Sequence, residues 1–102
     1  MTGNSGWVIR PAAQDDLSNI WRHGAVTWGI EQADRYADAL FALFDLLAEF
    51  PEMARGRDEF APPVRIQPNG AHLVIYRPDG PGIEIIRILH AHQNLMAYLH
   101  QG

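Results

Sequence analysis

The chain contains no cysteine and no lysine, and it has no long unbroken apolar run. Without thiols, disulfides and thiolate metal sites are excluded. No apolar stretch reaches about 18 residues, so no membrane span is expected. The opening residues show neither the basic start nor the central apolar block of a signal peptide. These absences predict a soluble, cytoplasmic domain. All eight basic residues are arginine, against twelve Asp and Glu, for a net charge of -4. Affinity built on phosphate contacts usually shows as a basic patch. Direct sequence-specific binding of nucleic acid by this chain alone is therefore not expected. The negative excess lies in residues 1–50, while residues 51–102 are neutral and hold four of the five histidines.

A length of 102 residues suits one domain. Residues 1–6 are small and polar and read as a flexible N-terminal tail, with one domain over 7–102. Trp7-Val-Ile-Arg10 is a short strand stopped by Pro11, which suits the first turn of a helix. Ala13, Leu17, Ile20, Trp21, Gly24 and Trp28 recur at three- and four-residue steps, and Asp15 and Asp16 sit toward the positive end of the helix dipole. Gly29 breaks this helix. A second helix, about 31–50, carries Ala33, Tyr36, Ala37, Leu40, Phe41, Phe44, Leu47 and Ala48 on a wide apolar face and ends at Pro51. With only a glycine between them, the helices must fold back as an antiparallel hairpin.

Residues 51–63 read as a polar loop with three prolines. Then come strands at 64–67, 71–77 and 83–90, joined by Pro68-Asn-Gly70 and Pro78-Asp-Gly-Pro-Gly82. Residues 93–100 predict a short terminal helix. The expected fold is α+β. An N-terminal strand precedes an antiparallel helical hairpin on one face of a mostly antiparallel sheet of three or four strands, with a short C-terminal helix and the other sheet face left available.

The most informative stretch is Ile83-Glu-Ile-Ile-Arg-Ile-Leu-His90, an apolar strand with an arginine in its middle. Regular alternation puts Ile86 and Ile88 toward the helices and Arg87 out over the open face. Arg87 then either contacts a target or sits in an ion pair, with Glu84 or a carboxylate of the 51–63 loop.

Pro11-Ala-Ala-Gln-Asp-Asp-Leu-Ser-Asn-Ile20, Gly29-Ile-Glu-Gln-Ala-Asp-Arg-Tyr36 and Leu47-Ala-Glu-Phe-Pro51 resemble the helical half of ParE-type toxins. Gly56-Arg57, Val64-Arg65, Ile75-Tyr-Arg77 and Arg87-Ile-Leu-His90 are similar to that family's sheet half. The resemblance runs from about Val8 to Leu99. It implies the RelE/ParE fold and the toxin role in a type II toxin–antitoxin module. It also implies a non-enzymatic toxin that inhibits DNA gyrase by binding and is neutralised by a ParD-type antitoxin in a hetero-oligomer. The alternative on the same fold is a ribosome-dependent mRNA endonuclease of the RelE type.

Under the first reading Arg65, Arg77, Arg87 and His90 are the target-facing residues, and three guanidiniums on one face could clamp an anion. Ile30, Tyr36, Leu40, Leu43 and Arg57 are the candidate antitoxin contacts. Under the nuclease reading Arg65, Arg87, His90 and Tyr98 would be catalytic. His90 and His92 form a His-x-His pair, but no spacing demands a third ligand, so no metal and no cofactor is expected. Trp21, Trp28, Tyr36, Phe41, Phe44 and Phe50 fall on helical stripes and read mostly as core.

Overall fold

A computed structural model describes residues 6–93. The order is β1 (Trp7–Ile9), α1 (Pro11–Trp28), α2 (Ile30–Glu49), β2 (Gly56–Arg57), β3 (Val64–Asn69), β4 (His72–Asp79) and β5 (Gly82–His90). The expected terminal helix and the start of the tail lie outside the described residues.

The two helices turn on Gly29, whose φ of 104° is open to glycine and strained for other residues. One turn before the bend, Gly24 faces Ala33 closely enough that an added Cβ would lie 3.5 Å from the Ala33 Cβ. Small residues thus let α1 and α2 approach. Trp21 Nε1–H donates to Asp34 Oδ1 across the same seam at 2.8 Å.

The five strands pair in the order β1-β5-β4-β3-β2, with β1 parallel to β5 and every other pair antiparallel. The fifth strand comes from Gly56–Arg57, inside the segment expected to be loop, which pairs with Arg65 and Val64. A two-residue strand carries too little periodicity to be read from sequence.

Sheet and hairpin enclose a core of Ala13, Leu40, Phe44, Leu47, Val74, Tyr76, Ile83, Ile85 and Ile88. The opposite sheet face is not left open. Phe60, only 3% exposed, packs with Val64, Ile75, Ile86 and Leu89 in a second cluster. The proline-rich segment thus brings its one aromatic side chain down onto the outer face.

Ile85 and Ile88 both belong to the helix-side core, whereas Ile86 belongs to the outer cluster. Simple alternation therefore fails. The cause is a register shift: Ile75 opposes Arg87 but Tyr76 opposes Ile85, so one extra residue sits in β5. A bulge of this kind re-aims the side chains around it. The bulge carries Ile85 to the core and Ile86 to the outer side, while Arg87, opposite Ile75 of the outer cluster, stays on the side alternation gives it, and its guanidinium meets Asp16 of α1.

Candidate functional site

The strand β1 ends at Ile9, and the last bond on that side of β5 runs from the Arg10 N–H to the Ile85 carbonyl at 3.0 Å. Beyond it the edge of β5 faces α1 instead of a strand. Asp16 fills the gap. Its carboxylate accepts the Ile88 backbone N–H at 2.9 Å, and Nε and Nη2 of Arg87 at 2.7 and 2.9 Å. Asp16 lies past the first turn of α1, so its role is this tertiary bond rather than the helix dipole expected for it.

The other candidate arginines and Arg10 are also engaged, and not with one another. Arg65 Nη1 donates to the Ala54 carbonyl at 2.6 Å. Arg77 and Arg10 both bind Glu84, at 3.1 and 2.9 Å. Those two guanidiniums, Arg10 first, hold the Glu84 carboxyl below the ordinary carboxylate range. Arg57 pairs with Glu59 and lies over the Phe60 ring. The expected cluster of Arg65, Arg77 and Arg87 is thus dispersed onto three different partners. The expected partner of Arg87, Glu84, serves Arg10 and Arg77 instead.

A cleft of about 980 Å³ opens between α1, α2 and the ends of β4 and β5. Its apolar lining includes Ile20, Trp28, Ala33, Ala39 and Ile88, and its polar lining includes Asp16, His23, Arg35, Tyr36, His72, His90 and Gln93. At its centre the Tyr36 hydroxyl lies 2.9 Å from the Asn69 carbonyl and 2.7 Å from His72 Nδ1. A carbonyl can only accept, so the single phenolic proton goes to Asn69. His72 must then present Nδ1–H to the phenol oxygen. Burial, with the charges of His90 and His23 added, lowers the His72 pKa, and burial raises that of Tyr36. The His90 ring stands 5.6 Å from His72 and 5.1 Å from His92. Among the described residues no group of three or more His, Asp or Glu could hold a metal ion.

The candidate antitoxin contacts separate on exposure. Ile30 is 62% exposed at the start of α2, and Tyr36 is half-buried in the cleft. Leu40 is fully buried in the main core and Leu43 packs against it, so Leu40 has no surface to offer a partner. Of the six helical aromatics, Phe44 alone is fully buried, and Trp28, the last residue of α1, is 67% exposed. Tyr98 lies outside the described residues. Asp16, Arg10, His23 and Trp28 were not among the candidate site residues. Arg10 reads as the end of the first strand and the other three as ordinary residues of α1, so no signal in the sequence marked them as a site.

The solved structure described as "Chromosomal ParDE TA system from P. aeruginosa" superposes with a TM-score of 0.71 at 24% identity, over 83% of this chain and 94% of that one. The family model for the ParE toxin of the type II toxin–antitoxin system parDE matches residues 8–95. Toxin ParE1 of Caulobacter vibrioides is 39% identical over 87 residues, covering 85% of this chain and 90% of that protein. Toxin ParE1 of Mycobacterium tuberculosis is 36% identical over 88 residues with the same coverage, and Toxin ParE3 of Caulobacter vibrioides is 30% identical over 95 residues, covering 92% and 95%. The chain belongs to the ParE toxin family and is a ParE-type toxin of a type II toxin–antitoxin module.

Proposed function

We propose that this toxin arrests growth by binding DNA gyrase, without catalysis of its own, and that a ParD-type antitoxin silences it by laying an amphipathic segment into the cleft beside α1 and α2. The observation that carries the antitoxin half is the exposed apolar rim of that cleft. Trp28 lines it and Ile30 follows two residues on at the start of α2, both more than half exposed, and an apolar surface of this kind marks a docking site. Ile30 and Tyr36 remain the antitoxin contacts, with Arg57 at the far side of the sheet. Within the described residues His90, exposed at the end of β5, is the centre of the target-facing surface, flanked by Arg87.

The dispersal of the arginines favours a binder over a RelE-type nuclease. A composite catalytic centre needs Arg65, Arg87 and His90 to converge on one phosphate. Arg65 is instead held on the Ala54 carbonyl and Arg87 on Asp16. The test is a gyrase supercoiling and cleavage assay beside an in vitro translation reaction probed for mRNA cuts. Lost supercoiling with trapped linear DNA and intact mRNA is expected. Cut mRNA with unaffected gyrase would replace this reading with the nuclease one.

A further inference from the structure

Resting on the reading that the cleft seats the antitoxin, we infer that the grip is proton-linked: His72, with His23 and His90 beside it in the cleft, takes up a proton as an acidic segment enters, so binding tightens as pH falls. Three observations carry this. First, the charges are one-sided. From α1 the cleft receives Asp16 and His23, from α2 Arg35 and Tyr36, from β4 His72, and from β5 and the turn after it His90 and Gln93. Its one carboxylate, Asp16, is already committed to Arg87 and the Ile88 N–H. Apart from the neutral Tyr36 and Gln93, what is left is cationic or able to become so, in a chain whose net charge is -4. The occupant that complements it carries carboxylates beside its apolar side chains.

Second, His72 is built to gain a proton without losing a bond. Tyr36 spends its proton on the Asn69 carbonyl, so His72 donates from Nδ1 whether neutral or charged. The atom that titrates is Nε2, and the contact to Tyr36 survives in both states.

Third, the surroundings of His72 keep that proton off. Burial and the neighbouring His90 and His23 disfavour the charged form of His72. A carboxylate brought into the cleft reverses the balance and raises the His72 pKa in the complex. The direction follows from linkage. Binding that takes up protons strengthens as pH falls through the raised pKa of the complex. It levels off below the lower pKa of the free toxin, where both states already hold the proton.

The experiment is calorimetric titration of the toxin with the full-length ParD-type antitoxin encoded beside it, in phosphate and Tris buffers. Affinity is expected to rise roughly tenfold from about pH 8 to pH 6, with uptake of about one proton. The H23Q/H72N/H90Q variant should lose that slope, the Asn amide at position 72 keeping a donor for Tyr36. A wild-type affinity changing less than about twofold over the same range, with no proton uptake, overturns the inference, as does a triple variant that keeps the full slope. Wild-type proton uptake and histidine NMR titrations, free and bound, decide the matter even if that variant fails to fold. A39R, which fills the cleft wall, separates the two levels. Binding lost in A39R with a flat wild-type profile leaves the docking site standing and removes the proton link. Binding untouched in A39R removes both.

Discussion

Two carboxylates flank β5, and they do different work. Glu84 accepts from Arg10 and Arg77, two guanidiniums each about a third exposed, and no backbone group depends on it. Asp16 accepts from one guanidinium and from the backbone of Ile88 at a place where the sheet has no further strand. Water can replace Glu84 for its partners, because each already has about a third of its side chain in solvent. Water reaches the Asp16 site less well, since both side chains there are more buried. An ion pair's contribution therefore follows from what else it closes, not from its charge or distance.

The contrast is broken most strongly by Asp16→Ala. That change strips the Ile88 N–H and the Arg87 guanidinium of three hydrogen bonds and should cost about 3 kcal/mol, read by urea unfolding. Asp16→Asn keeps an acceptor and should cost about half as much. Glu84→Gln should cost only about 1 kcal/mol, less at high salt. Its pH signature sharpens the comparison. Glu84 has a depressed folded pKa, so its contribution is complete above the unfolded carboxylate pKa and disappears as pH falls through the folded one. The stability gap between wild type and Glu84→Gln should hold from about pH 7 to pH 5 and close below about pH 4. A gap that widens on acidification would refute the assignment.

Smaller effects belong to the cleft. Tyr36→Phe removes the phenol that joins Asn69 to His72 and should destabilise by about 1 kcal/mol in thermal melts. Trp28→Ser touches a side chain already in solvent and should change stability by less than about 0.5 kcal/mol. The same substitution should weaken antitoxin binding at least tenfold if Trp28 is an anchor of the docking surface. Equal binding by that variant would move the contact elsewhere on the hairpin.

Much of this fold was legible. The hairpin follows from Pro11, Gly29 and Pro51 as punctuation, with apolar residues at helical spacing between them. The long strands follow from their β-branched runs. The site was less so, for identifiable reasons. Alternation placed Ile86 toward the helices and Ile85 away from them, and one extra residue opposite Ile75 and Tyr76 reversed both. A bulge leaves no trace in hydrophobic period over so short a strand. Leu40 read as a partner contact because a wide stripe does not say which of its residues reaches the core. The cleft was invisible because its residues come from four elements, and none is unusual in its own.

By itself the sequence determined the class of fold, the order of its main elements and the absence of thiol chemistry. These depend on composition and on contacts between near neighbours in the chain. The tertiary structure alone decided that Asp16 completes the edge of β5, that Phe60 covers the outer face, and that His23, His72 and His90 share one cleft with Trp28. Each of those depends on register and on the approach of residues far apart in sequence. A single insertion in a strand shifts such pairings without altering the periodicities from which elements are read.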